Sequence, residues 1–234
     1  MTELLEMAKF GNLVCRTLMA ENPETPSEVL EVLSNDQELR IRSLVVSNPN
    51  TPTKIRGNLL RNEAIKRDIA KRKEIRESSF INPIITPELL AKVLDGYLLD
   101  IRGIHGISHW RQVEKNALHL AEGEGIVSSL FSLFALFHDA RRKNDGHDRE
   151  HGKRGATLAR KLHTQGFYQI PAEDLDRLCY ACEHHTNQRY NMDPIIGICW
   201  DADRLDLTRV GTTPNPRYLN STTAIYLASE KNLF

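Results

Sequence analysis

The sequence predicts an all-α fold. No stretch of the 234 residues shows the strong apolar–polar alternation of a half-buried strand. Segments 87–100, 108–123, 126–138, 150–165 and 171–185 instead read as helices, with Gly and Pro punctuating the gaps. The N-terminal third adds a repeat made of helix punctuation. "LMAENPETPSEVLEVLSND" (18–36) is followed by "LVVSNPNTPTKIRGNLLRN" (44–62), which places Asn22-Pro23 and Asn48-Pro49 26 residues apart.

Each part of that repeat has a physical role. Asn-Pro ends a helix, because the residue before proline is pushed out of the α region. Thr25 or Thr51 is then expected to cap the next helix, with Pro26 or Pro52 at its first position and Glu28 completing a capping box in the first copy. A looser third copy, "INPIITPELLAKVL", begins at Ile81 with one residue inserted between its NP and TP. A period in the twenties with helical content predicts stacked helical repeats. Over roughly residues 1–78 the pattern resembles leucine-rich-variant or HEAT-like repeats, which implies a surface rather than an active site: a helical layer that packs on the next domain, or a face for a protein partner. Residues 79–98 read as a linker and connecting helix, and 99–234 as a second domain. Lys54, Arg56, Arg61, Lys66, Arg67, Lys71, Arg72, Lys73 and Arg76 form a basic run. It has no aromatic interleaving, so a solvated helix face is expected rather than a nucleic-acid interface.

Composition excludes several classes. Hydrophobic residues make up 40%, enough for a packed core, and the 31 Lys+Arg balance the 31 Asp+Glu, giving no global pull toward nucleic acid. The apolar run "IVSSLFSLFALF" (126–137) is too short to span a bilayer, so no membrane partner is expected. No basic segment followed by an apolar one opens the chain, and Cys15, Cys179, Cys182 and Cys199 are too scattered for a disulfide framework. A cytoplasmic protein with reduced thiols is the expectation.

All nine histidines lie between His105 and His185. His109 opens the helix "SHWRQV", and His138-Asp139 follows the apolar run. His151 begins "HGKRGATLARKL", His184-His185 ends "LDRLCYACEHHT", and Asp201 and Asp203 stand in "CWDADRLDL". Five segments thus deliver imidazole or carboxylate at or near helix ends. That mixture of donors suits Mn, Fe, Co, Ni or Zn. Cys179 and Cys182 offer half of a zinc motif but read better as core residues on one helix face. Arg141, Arg142 and Lys143 follow the His-Asp pair and would suit a phosphate.

In this order and context, His109, His138-Asp139 and Ala202-Asp203-Arg204-Leu205 resemble the HD-domain superfamily of metal-dependent phosphohydrolases. The longer run is similar to a group of small bacterial HD proteins, over roughly residues 99–220. The resemblance implies an all-helical bundle with one or two divalent transition-metal ions between its helices. It also implies hydrolysis of a phosphorylated small molecule or nucleotide. His109, His138, Asp139 and Asp203 match the family's four-ligand core, and His151, His184 and His185 match the extra histidines of two-metal members. Asp201 stays open as a substitute for Asp203 or as its support, and His105 as a support or substrate contact. No "GYP" follows "HH", so the cyclic-di-GMP branch is not favoured. Asp139 and the Arg141–Lys143 cations are the expected catalytic groups. Two other readings fit the same residues: a di-iron oxygenase, and a partner-binding or ligand-sensing protein with a non-catalytic site.

Overall fold

A computed structural model describes residues 2–77 and 80–231, with side chains over 2–74 and 80–229. Among the described residues there are thirteen α-helices, two short 3-10 helices and no strand, as the sequence predicts. Ser78 and Ser79 of the junction lie outside the described residues, as does the side chain of Arg76. The chain divides into two compact units, Met1–Glu74 and Ile75–Phe234. The connecting helix expected over 79–98 falls within the second.

The first unit holds α1 (Thr2–Phe10), α2 (Leu13–Glu21), α3 (Ser27–Leu33), α4 (Leu39–Ser47) and α5 (Thr53–Leu59), and α6 (Glu63–Glu77) begins in it. Val29, Leu30, Leu33, Ile41, Leu44 and Val45 form its core. The two repeat copies are tied through two asparagines of the second. Asn48 Nδ2 donates to Ala20 O and Asn22 O at 3.0 and 2.8 Å, and Asn50 Nδ2 to Pro23 O at 2.6 Å.

The expected threonine caps need correcting in these copies. The helices start one residue later, after Pro26 and Pro52, and neither has a side-chain cap. Thr25 and Thr51 instead turn their buried hydroxyls back to Met19 O and Val45 O, in the last turn of the preceding helix. Glu28 accepts from the Ser27 hydroxyl rather than closing a capping box. In the third copy, with its extra residue, Thr86 does cap. Its oxygen accepts from Leu89 N at 3.1 Å at the start of α7 (Pro87–Asp95).

The second unit continues with α8 (Ile107–Gly123), α9 (Leu130–Phe137), α10 (His151–Thr164), α11 (Ala172–His184), α12 (Pro194–Leu205) and α13 (Thr222–Lys231). Every residue of α9 is buried, so this helix is the axis of the unit; α8, α10, α11 and α12 all pack on it. Its expected start at 126 moves to 130, and α7 stops at Gly96 instead of reaching 100. α8 faces α9 and α12 with Trp110, Val113, Ala117 and Leu120, at the i, i+3, i+4 spacing of an inward stripe. Glu114, buried on the same helix, accepts from Ile81 N and Asn82 N and so pins the start of the third copy.

Two glycines set how closely α10 can approach. A Cβ on Gly152 would stand 2.2 Å from Cys182 O, and one on Gly155 2.4 Å from Phe137 O. Only hydrogen fits at either place, so α10 lies backbone-close to α11 and to the end of α9. That closeness brings His151 to Asp139 and His185.

Candidate metal centre

Five helix ends converge in the second unit. His109 lies in the first turn of α8, and His138-Asp139 directly follows α9. His151 is the first residue of α10, and His185 directly follows α11. Asp203 lies in the last turn of α12. His109, His138, Asp139, His151 and His185 are all buried at 3% exposure or less. Phe134 stacks on the His138 ring, centroids 5.0 Å apart.

The hydrogen bonds assign the ring nitrogens. His138 Nδ1 meets the carbonyls of Phe134 and Ala135 at 3.2 and 3.1 Å, and His185 Nδ1 meets Cys182 O at 2.7 Å. His151 Nδ1 meets Asp148 O, and His109 Nδ1 meets Asp206 Oδ2 at 2.7 Å. A carbonyl can only accept, so Nδ1 must carry the proton and Nε2 presents a bare lone pair in the neutral ring. Yet the Nε2 atoms face one another in pairs: His109 and His138 at 3.0 Å, and His151 and His185 at 3.0 Å. Two buried lone pairs at that distance repel unless a proton or a cation lies between them. Two imidazole nitrogens at right angles on one ion, each at ~2.1 Å, would be about 3.0 Å apart. The donor set therefore fits a transition-metal ion.

Carboxylates complete it. Asp203 Oδ1 is 3.4 Å from His109 Nε2 and 3.8 Å from His138 Nε2. Asp139 faces both pairs: Oδ2 is 3.7 and 3.9 Å from His109 and His138 Nε2, while Oδ1 is 3.1 and 3.8 Å from His151 and His185 Nε2. These atoms make two groups able to hold an ion, His109/His138/Asp203 and Asp139/His151/His185, with Asp139 positioned to reach both.

Electrostatics follow from the crowding. Burial opposes charge on Asp139, but His138, His105, His151 and His185 outweigh it and hold its carboxyl well below the usual range. Asp203 is lowered in the same way, chiefly by its bond to His109. Burial drives His138 down to about 3, so that ring stays neutral. For His109, burial is overcome by Asp203 and Asp206 and the pKa rises; for His185, Asp139 has the same effect.

The other expected residues fall elsewhere. His184 is half-buried against the Tyr180 ring, centroids 4.4 Å apart, and joins neither group. Asp201 is no substitute for Asp203: it accepts from the backbone and side chains of Asn220 and Ser221 and anchors the start of α13. Arg141, Arg142 and Lys143 do not act as one phosphate-facing cluster. Arg141 donates to Val93 O and Ala140 O, Arg142 is buried against Asp139, and only Lys143 is exposed. Arg204 and Arg209 are likewise bonded to backbone carbonyls. His105 does support the site: it precedes α8, and its Nδ1 is 2.7 Å from Asp139 Oδ2, making it an alternative donor beside His109. Asp206 was missed. It stands three residues after Asp203, and that spacing was the available signal.

Compared with known proteins, the chain matches no family model, no curated protein and no solved structure.

Proposed function

We propose that this protein is a metal-dependent phosphohydrolase or phosphodiesterase of the HD type, acting on a nucleotide-like phosphate ester. The observation that carries the reading is the close pairing of buried imidazole Nε2 atoms beside two carboxylates held in their charged form. Four of these groups, His109, His138, Asp139 and Asp203, are also the residues that carry the sequence resemblance.

In this reading His109, His138, Asp139 and Asp203 hold the ion. When bound, it would supply a Lewis acid for the phosphoryl oxygen and lower the pKa of a water toward neutrality. The chain's own groups keep the donors in the required state. Asp206 and the α9 carbonyls hold protons on the far nitrogens of His109 and His138. His105 fixes the orientation of Asp139. Asp203, with its side chain 17% exposed against 3% for Asp139, marks the side open to substrate. No serine or cysteine nucleophile is needed.

The test is a screen of phosphomonoesters, phosphodiesters and nucleotides with protein loaded with Mn²⁺, Co²⁺, Ni²⁺ or Zn²⁺. Phosphate or nucleotide release that needs the metal and disappears in Asp139→Ala supports the proposal. A fully loaded protein that cleaves none of these esters refutes it.

A further inference from the structure

The second group of donors already contains a cation. Arg142 is 8% exposed, and its Nη1 stands 3.2 Å from Asp139 Oδ1 and 3.2 Å from His151 Nε2. Those are two of the three atoms this group offers to an ion. The rest of the guanidinium is clamped by the following loop, with Nη2 donating to Gly146 O at 2.9 Å and Nε to Asn144 O at 3.4 Å. The loop is itself closed by Asp148, whose carboxylate accepts from Lys143 N and from Arg154.

A guanidinium has only donors, stays charged at any ordinary pH and cannot be a ligand. Where it occupies Oδ1 and Nε2, an ion cannot use the same lone pairs. Charge points the same way. Each group contains one carboxylate, Asp203 in the first and Asp139 in the second. The second group's carboxylate is already paired with the Arg142 guanidinium, Nη1 to Oδ1 at 3.2 Å, so an ion there would compete with a resident cation for it. A second divalent ion would face the first across that one carboxylate, with the guanidinium alongside. Like charges that close repel strongly in a buried site, and doubly charged ions repel more.

We propose that Arg142 is the resident cation of the second group, so that the protein binds one metal ion, on His109, His138, Asp139 and Asp203, and its guanidinium takes the place of a second. This rests on the metal reading of the cluster. Arg142 is then a positioning residue that sets the metal count and orients Asp139, rather than a substrate clamp. His151 and His185 are donors that replacing Arg142 would release.

The experiment is Mn²⁺ titration of the full chain, read by calorimetry, element analysis and electron paramagnetic resonance. One ion per chain is expected in the wild type. Two are expected in Arg142→Gln, with the spectrum of a spin-coupled pair, and one again in Arg142→Gln/His185→Ala. Arg142→Met serves in the same way if the glutamine variant does not fold. Two ions in the wild type, one in both Arg142 variants, or a second ion that survives His185→Ala would each overturn the proposal while leaving the metal reading intact. No ion in any form would overturn both.

Discussion

Asp206 touches one ring nitrogen of His109, and by holding the proton there it decides which nitrogen faces the cluster. Such outer partners typically contribute 10–100-fold to metal affinity. Asp206→Ala is therefore expected to weaken Mn²⁺ or Zn²⁺ binding by about that factor, measured by calorimetry. Protons compete for the same nitrogens. Because His109 and His185 have raised pKa values, they keep a proton to higher pH than a free imidazole would. Ligation at His109 must displace that proton, so affinity should fall as pH drops, with net proton release on binding. Calorimetry in buffers of different ionisation enthalpy would read that release, and a pH-independent affinity would contradict it. The sequence singled out His109, His138 and Asp139 through the order of the motifs that resemble the HD superfamily. It could not choose among Asp201, Asp203 and Asp206, since only the packing of α12 and the approach of Asn220 decide which carboxylate turns inward. Arg142 looked like a substrate contact for the same reason: a cation beside ligands reads alike whether it faces the mouth or the interior.

At the scale of elements, the site depends on how close α10 can come. Ala would favour the helix over Gly155 by about 1 kcal/mol, but its Cβ would lie 2.4 Å from the Phe137 carbonyl, a backbone atom that no rotamer change can move aside. Overpacking of this kind costs about 1–3 kcal/mol or more. Gly155→Ala should thus lower Tm by several degrees and shift His151 away from Asp139. Gly57, within α5 with nothing within 4 Å of its would-be Cβ, is the contrasting case. Gly57→Ala should stabilise the first unit by up to about 1 kcal/mol. Differential scanning calorimetry on the two variants checks both signs. Helix existence was legible from apolar spacing, and boundaries were less so. The Thr25 and Thr51 caps failed because a buried hydroxyl had a better acceptor in the preceding helix, which no local motif reveals. α12 was read only as a ligand-bearing segment, since its apolar residues and acids share one short stretch.

Across the whole molecule, polar chemistry is concentrated in one place and the thiols are withdrawn. Cys179, Cys182 and Cys199 are buried, and burial pushes all three thiols up, while Cys15 is half-exposed. A thiol reagent at neutral pH should label Cys15 in the native protein and all four cysteines in denaturant, counted by intact-mass spectrometry. Rapid native labelling of Cys182 or Cys199 would show that the second unit is not packed as described. No helix among the described residues is long and apolar enough to cross a membrane. Balanced charge and a large apolar fraction made a packed protein legible, and the expected division after residue 78 lies four residues from the one between Glu74 and Ile75, which falls inside the basic α6. The segment that positions His138 and Asp139 has a cost of its own. "LFSLFALF" contains no charge, no proline and no glycine, and native packing covers all eight residues. Released by heat, such a window is a site for chains to stick to one another. The helix that makes the centre rigid should therefore make thermal inactivation a one-way process, with recovery on cooling that falls as protein concentration rises.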